Sequence, residues 1–261
     1  MDRSLPLPLD IKLMNRVTNA LFVLFGVLLL SALAGWVARA PLFELKKIVV
    51  TGELTRSNAL TLRANVAPQL SGSFFTLDLA QVRKVFEGVP WVRRAVVRRE
   101  FPDQLRVDLQ EHQPVALWGA EAESRMLNHL GEVFEANTAE VDADSLVRLM
   151  GPDAEAPAVL AMYRALAPQF EDLDLHVEQF EMSGSGAWRA RLESGAVVEL
   201  GGGSNEEVQA RTRRFLKTLT QVTARHARKP DALESADLRH VDGYALKLQG
   251  VTTLAPDAKQ K

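Results

Sequence analysis

An uncharged apolar stretch near the amino terminus most constrains what this chain can form. Residues 20–38 contain no Asp, Glu, Lys or Arg, and extending the stretch back to Val17 gives 22 residues. As a helix at about 1.5 Å per residue it would span ~33 Å, enough to cross a hydrocarbon core of ~30 Å. No second stretch of this kind follows. The sequence therefore predicts one transmembrane helix over residues 17–38, with everything after Arg39 on one side of the membrane.

Two other interpretations of the stretch are a cleaved signal peptide and a buried core helix. Ala38-Arg39-Ala40 has the small residues of a signal-peptide cleavage site. However, the apolar region is longer than the roughly 7–15 residues usual for a signal peptide, and Pro41 would directly follow the cut. A core helix of this length is seldom apolar on all sides. An uncleaved anchor is therefore favoured.

The flanking charges do not decide the direction of this anchor. Three basic residues lie near each end: Arg3, Lys12 and Arg16 before the stretch, and Arg39, Lys46 and Lys47 after it. Long domains are translocated largely regardless of charge, whereas a short tail is easily left in the cytoplasm. We therefore expect residues 1–16 to be a cytoplasmic tail, disordered because Pro6 and Pro8 interrupt any helix. The bulk of the chain would lie outside the cytoplasm.

Charge balance and the absence of cysteine exclude several classes of function. The net charge is −2, from 31 basic and 33 acidic residues, which is untypical of a nucleic-acid-binding protein. A chain without cysteine has no disulfide, thiolate metal site or cysteine nucleophile. The five histidines are scattered, and the carboxylates form no acid–base or nucleophilic pattern. We therefore expect a protein that is not an enzyme and that binds no metal, cofactor, nucleic acid or small-molecule substrate.

Five predicted elements follow the apolar stretch. They are a strand at 47–52, a helix from Ser57, a helix from Asp78 to Gly88, a strand after Trp91 and a strand at 105–109. The last strand is the clearest, because Leu105, Val107 and Leu109 alternate with polar residues. This order predicts a small α+β domain with helices on one face of a three-stranded sheet.

The second half of the chain predicts a mostly antiparallel sheet with helices. Its expected elements are two short strands around residues 126–134, a helix after Pro152, strands at 177–182, 188–192 and 197–201, a helix from Ser204, and a hairpin of 237–240 with 244–248 around Asp242-Gly243. The helix from Ser204 has a capping box with Glu207. Its apolar residues are Val208, Thr212, Phe215, Leu219 and Val222. This spacing fits a coiled-coil seam, but packing against the chain's own sheet is favoured because the repeat is short.

Several motifs, in the same order along the chain, resemble those of a known family. They are Phe43 with Ile48-Val49-Val50-Thr51-Gly52, the run Trp91 to Arg99, the run Phe101 to Val107, and Glu111-His112-Gln113-Pro114-Val115-Ala116-Leu117-Trp118. This region resembles the membrane-proximal POTRA domain of the bacterial FtsQ/DivIB cell division family, and the similarity extends over about residues 42–248. It implies an α+β fold: a POTRA domain (β-α-α-β-β) at 42–112 and a β-domain at 113–250. We expect residues 251–261 to be a disordered tail.

The resemblance also implies a role. It implies a non-catalytic scaffold of the divisome in the inner membrane, with the amino terminus in the cytoplasm and both domains in the periplasm, at the division septum. FtsB and FtsL are the implied partners, with other divisome proteins. The alternative is a POTRA-bearing component of a secretion or outer-membrane assembly system. Such proteins usually carry several POTRA repeats or a β-barrel, whereas this sequence shows one POTRA pattern and no run of barrel strands.

The last hairpin is the leading candidate for a partner-binding site. A terminal strand is often an edge strand to which a partner can add its own strand, although Lys247 is the kind of residue that protects such an edge. The resemblance implies that FtsB adds a segment here, so charge reversal or a proline within residues 244–248, such as Ala245→Pro, is expected to abolish binding and leave the fold intact. The implied site is Arg239, His240, Asp242, Gly243, Tyr244, Ala245, Leu246, Lys247 and Leu248. His240 and Leu248 stand where the family commonly has Tyr and Trp.

A second candidate is an arginine cluster in the POTRA strands. Its members are Arg93, Arg94, Arg98 and Arg99, together with Arg106. These residues are interpreted either as a solvated sheet edge near anionic lipid or as a docking surface for an acidic segment of a partner.

Overall fold

The computed structural model divides the chain into two compact units, residues 1–111 and 112–261. The residues described are 9–38, 45–52, 54–57, 62, 66–69, 73–123, 125–240 and 242–251. The ends at 1–8 and 252–261, for which the sequence predicts disorder, lie outside the described residues. So does most of the helix predicted from Ser57.

The first element is α1 (Leu9–Ala38), a helix of 30 residues. Its segment Leu13–Trp36 has a mean hydropathy of 2.3, and none of its most apolar window is buried in the protein. It is therefore long and apolar enough to cross a membrane once. The prediction of a disordered tail is wrong for residues 9–16, which belong to this helix. Pro6 and Pro8, on which that prediction rested, precede the first residue of this helix in the sequence.

Three strands and an α-helix follow α1 in the first unit. They are β1 (Lys47–Gly52), α2 (Leu79–Glu87), β2 (Val92–Glu100) and β3 (Gln104–Glu111). In this first sheet β3 is central, parallel to β1 and antiparallel to β2. Asp78 caps α2 by accepting a hydrogen bond of 2.8 Å from the N–H of Ala80, and the helix ends at Gly88 as the sequence predicts.

One face of the first sheet forms a hydrophobic core. Leu105, Val107 and Leu109 of β3 are at most 2% exposed, which confirms the alternation predicted for this strand. Leu62 and Val66 are helical and pack in the same cluster, so the two described apolar residues of the first predicted helix are buried.

A buried carboxylate at the end of β3 holds the chain that follows β1. Glu111 is 5% exposed. Its oxygens accept hydrogen bonds from the backbone N–H groups of Thr55 at 3.0 Å, Arg56 at 3.1 Å and Ser57 at 2.7 Å. Three converging N–H donors offset the cost of burying the charge. This side chain therefore connects the last strand of the first sheet to the segment that leads out of its first strand.

We predict that Glu111→Gln weakens this connection. The amide cannot accept all the bonds that the carboxylate accepts, and its own N–H group would face backbone donors, at an expected cost of about 1–3 kcal/mol. Hydrogen exchange at the Thr55–Ser57 amides should accelerate in the intact, detergent-solubilised chain. Gln110→Ala is the control, because Gln110 is exposed on the same strand. Equal exchange in both variants would contradict the role assigned to Glu111.

The second unit contains a nine-stranded sheet among the described residues. Its strands are β4 (Pro114–Trp118), β5 (Arg125–Asn128), β6 (Val133–Glu135), β7 (Arg148–Met150), β8 (Val177–Met182), β9 (Trp188–Leu192), β10 (Val197–Gly201), β11 (Leu233–Asp237) and β12 (Ala245–Leu248). Their order is β12-β11-β10-β9-β8-β7-β4-β5-β6. Five of the described neighbouring pairs are antiparallel and three are parallel, so the prediction of a mostly antiparallel sheet is confirmed.

Two helices, α3 (Ala156–Glu171) and α4 (Asn205–Arg225), pack with the second sheet. The capping box of α4 is present, with Ser204 N–H donating to Glu207 at 2.9 Å. Val208, Phe215 and Leu219 are fully buried in the sheet's core, which confirms packing on the chain's own sheet and not a coiled-coil seam. Buried Thr212 is satisfied within the helix, because its hydroxyl donates to the carbonyl of Val208 at 2.8 Å.

The last hairpin differs from the prediction in its first strand. The sequence interpretation placed that strand at 237–240, whereas β11 spans Leu233–Asp237 and residues 238–240 lie in the connection to β12. The segment Leu-Glu-Ser-Ala-Asp is poor in the β-branched and aromatic residues that mark strands. It is extended because it lies between β10 and β12 and pairs with both.

Candidate partner-binding edge

The strand β12 lies at one end of the second sheet. It pairs with β11 in antiparallel register, and no strand among the described residues lies on its other side. The pairing joins Asp237 to Ala245 and Ala236 to Leu246. The terminal strand is therefore an edge strand, as the sequence predicts.

The hydrogen bonds around β12 show which of its backbone groups point outward. Beyond the strand, Gln249 N–H donates to the carbonyl of Ala232 at 2.9 Å, so the groups of residue 249 point toward β11. Successive residues of a strand alternate in direction. Lys247 and Ala245 therefore also point toward β11, and Leu246 directs its N–H and C=O to the open side.

The neighbouring strand gives the same assignment independently. Leu238 N–H donates to the carbonyl of Glu199 on β10 at 2.8 Å, so the groups of Asp237 point the other way, toward β12. Asp237 and Ala245 are thus a hydrogen-bonded pair. This pairing argues against the expectation that a proline at Ala245 leaves the fold intact, because the N–H of this residue serves the internal ladder. Leu246 and Leu248 both face the open side, but the carbonyl of Leu248 accepts from the N–H of Val251 at 3.2 Å, so Leu246 is the residue of β12 that offers both its N–H and its C=O to an added strand.

Contacts with α4 fix the position of the edge strand. The ring of Tyr244 lies edge-on against Phe215, with 5.0 Å between ring centroids. Its hydroxyl is 2.7 Å from the hydroxyl of Thr218, which itself lies within hydrogen-bonding distance of carbonyls of α4. Tyr244 is therefore the donor to Thr218. Leu248 is 3% exposed, so both ends of β12 are attached to the core.

The side chains of β12 leave its outer backbone accessible. Ala245 and Lys247 are exposed, and Leu246 is half-buried. The ammonium group of Lys247 forms an ion pair with Glu234 of β11 at 2.5 Å. Because this pair lies toward the neighbouring strand, the charge expected to protect the edge is directed away from it.

A groove lies between α4 and the connection that precedes β12. Its volume is about 360 Å³. Its lining residues are Glu207, Ala210, Arg211, Arg214, Leu238, Arg239, His240, Gly243 and Tyr244. The lining holds three arginines and one carboxylate; because Arg239 is paired with Asp237, the excess positive charge comes from Arg211 and Arg214, and it suits the groove to an acidic side chain. Arg211 is held in place by donating to the carbonyl of Gly202 at 2.8 Å.

An exposed ion pair orders the start of the connection. Arg239 donates to both carboxylate oxygens of Asp237, at 2.9 and 2.6 Å. Hydrogen bonding by the Arg239 side chain, with smaller contributions from its backbone N–H and charge and from His240, lowers the pKa of Asp237 to about 2. Arg239 thereby keeps a defined position at the rim of the groove.

The residues implied by the family resemblance are brought together around this edge. Arg239 and His240 line the groove, Asp242 and Gly243 lie in the exposed connection, and residues 244–248 lead into and form the strand. Sequence reasoning missed Glu207, Arg211 and Arg214. Their spacing of four and three residues places them on one helix face, but only the fold shows that this face adjoins the connection.

The arginines of β2 do not form one surface. Arg94 and Arg98 are exposed, and Arg98 lies opposite Arg106 in the register of β2 with β3. Arg106 is paired with Glu100 at 2.6 Å. Arg99 points to the other side of the strand, where it binds carbonyls of the segment before α2. Half-buried Arg93 lies at a β-bulge.

We predict that Tyr244 and Thr218 are energetically coupled. Tyr244→Phe and Thr218→Val should each loosen β12, and the double variant should cost less than the sum, with a coupling of about 0.5–1.5 kcal/mol. Hydrogen exchange of the β12 amides measures each step. Fully additive effects would show that the hydrogen bond does not attach the strand.

We predict that the Arg239–Asp237 pair is retained well into acid. Because the pKa of Asp237 is depressed from 3.8 to about 2, the pair stabilises the fold above pH 3.8 and its contribution is lost as the pH falls through about 2. Arg239→Gln should return the pKa toward 3.8, as followed by carboxyl NMR shifts. His240→Gln should change it less. A titration near 3.8 in the unaltered chain would refute the prediction.

Comparisons with known proteins agree with this architecture. Residues 43–112 match the family model described as "POTRA domain, FtsQ-type". Residues 116–239 match the model described as "Cell division protein FtsQ/DivIB, C-terminal". The second match ends before β12.

The chain is also similar over most of its length to several curated proteins named cell division protein FtsQ. It is 36% identical to that of Thiomonas arsenitoxydans, over 94% of this chain and 90% of the relative. It is 35% identical to that of Burkholderia pseudomallei, over 97% and 98%. It is 35% identical to that of Bordetella pertussis, over 92% of each. The chain therefore belongs to the FtsQ/DivIB family of cell division proteins.

Proposed function

We propose that this chain is a non-catalytic scaffold of the divisome that binds FtsB, in complex with FtsL, through the open edge of β12. The observation that carries the proposal is the outward direction of the Leu246 backbone on an edge strand fixed by α4. Membership of a cell division family supports the cellular role.

Binding would proceed by strand addition and not by chemistry. A segment of the partner would pair with the N–H and C=O of Leu246, extending the second sheet by one strand. Main-chain pairing gives affinity with little dependence on side chains, so His240 and Leu248 can differ from the common family residues. The positive groove beside the edge would then select a partner segment with an acidic residue near the added strand.

The anchor would place this site in the periplasm. In this arrangement α1 crosses the inner membrane with its amino terminus in the cytoplasm, and both globular units lie on the periplasmic side at the septum. The support is the single described helix able to span a bilayer, with long domains after it. The chain would thereby link cytoplasmic division proteins that assemble early with periplasmic ones that act later.

We predict that Leu246→Pro weakens FtsB binding by at least about tenfold relative to Leu246→Ala, which corresponds to about 1.4 kcal/mol. Proline removes the outward N–H and leaves the pairs at 245 and 247 in place, while alanine removes the side chain and keeps the donor. Binding of the purified full-length variants to the periplasmic segment of FtsB, measured by biolayer interferometry, gives the ratio.

The controls separate loss of the edge from loss of the fold. Protection of the β11 amides against hydrogen exchange should be similar in the two Leu246 variants, whereas Ala245→Pro should lose it. Equal FtsB affinity of the proline and alanine variants would disprove strand addition at β12. It would leave the family assignment untouched.

A further inference from the structure

Two exposed phenylalanines distinguish one end of the first sheet. Beyond α1, four large hydrophobic side chains among the described residues are exposed: Leu54, Phe75, Phe101 and Leu130. Phe101 is 76% exposed in the turn between β2 and β3, and Phe75 is 49% exposed in the turn before α2. Exposed aromatic residues that lie together mark an interaction surface more often than isolated apolar residues do.

The two turns are held against each other. The ring of Phe74 lies edge-on to both neighbours, with centroids 5.2 Å from Phe75 and 6.2 Å from Phe101. Arg99, next to the second turn, donates to the carbonyls of Phe74 at 2.7 Å and Leu77 at 2.5 Å. The exposed rings are therefore held in fixed positions by these contacts. We call this surface the aromatic end; it comprises Phe75, Phe101 and the buried Phe74 between them.

The aromatic end lies where the chain enters the domain from α1. The backbone N–H groups of Lys46 and Lys47 both donate to the carbonyl of Asp103, in the same turn as Phe101, at 3.0 and 3.4 Å. Lys46 follows Ala38, the last residue of α1, by eight residues. Eight residues span at most about 29 Å. The aromatic end therefore stays close to the bilayer surface whenever α1 is inserted.

The charges around the aromatic end are mostly positive. Five basic residues and three acidic ones lie in segments 46–47, 73–78 and 98–106: Lys46, Lys47, Arg98, Arg99 and Arg106, with Asp78, Glu100 and Asp103. Lys46 is bridged to Asp103 and Arg106 to Glu100. Exposed Lys47 and Arg98 have no acidic side chain within salt-bridge distance among the described residues. Aromatic rings flanked by basic residues fit the interface of an anionic bilayer.

We propose that the aromatic end docks onto the anionic lipid surface of the membrane that holds α1, and so fixes the orientation of the POTRA domain. Phe75 and Phe101 would enter the headgroup region, while Lys47 and Arg98 would contact lipid phosphates. Each contact is weak, but α1 keeps the surface at high local concentration, so weak contacts suffice. An acidic peptide would pair with the arginines without requiring two solvent-exposed rings, which is why lipid is the better occupant.

The absence of cysteine allows a direct test on the full-length chain. A cysteine introduced as Phe101→Cys and labelled with the small apolar fluorophore NBD replaces an exposed ring. Gln110→Cys, labelled in the same way, is the control, since it lies near the far end of β3, about 20 Å from the turn that carries Phe101. Both proteins are reconstituted in phosphatidylcholine vesicles with and without phosphatidylglycerol, and nitroxide lipids serve as quenchers.

We expect nitroxide quenching at position 101 to exceed that at 110 by at least about threefold in vesicles containing phosphatidylglycerol. Phe75→Ser, or Lys47→Glu with Arg98→Glu, should reduce this difference, as should the omission of phosphatidylglycerol. Hydrogen-exchange protection of β3 should stay unchanged, which separates undocking from unfolding. Equal quenching at the two positions, or a difference that persists undiminished in neutral vesicles and in the charge-reversed variant, would overturn the proposal. Neither result bears on FtsB binding.

Discussion

The packing of α4 across the second sheet is the interaction on which the candidate site depends. The buried residues Val208, Phe215 and Leu219 hold the helix on the sheet, and the same helix provides Thr218 for Tyr244 and two arginines for the groove. A four-residue edge strand has few hydrogen bonds of its own. Its position follows from the helix beneath it, so the open backbone is presented in a fixed place and a partner loses less entropy on binding.

The same fold leaves the edge strand β12 open to pairing but limits which strands can pair with it. Lys247 is directed to Glu234, and Ala245 is small, so neither obstructs an incoming strand. The strand is nevertheless short, and the adjacent groove is positive. Under the proposed function, a partner would have to supply both an extended segment and a complementary charge, which would favour one partner over general aggregation.

In the first unit, two side chains hold irregular segments against a short sheet. Hydrogen bonds of Glu111 connect the end of β3 to the segment after β1, and hydrogen bonds of Arg99 connect the end of β2 to the turn before α2. Both side chains bind backbone groups of segments without regular structure. They thereby stabilise segments of the domain that lie outside the strands of the sheet.

The sequence by itself determined the local elements: the apolar anchor, the alternation that forms β3, and the capping of α2 and α4. These elements can be predicted because periodicity and helix capping depend only on residues that are close together in the sequence. The tertiary structure decided the rest. It made residues 233–237 a strand despite poor propensity, turned Arg99 away from Arg98, and directed the backbone of Leu246, not Ala245, to the open side. These outcomes depend on register and on contacts between distant segments, and a change of one residue in register reverses every direction along a strand.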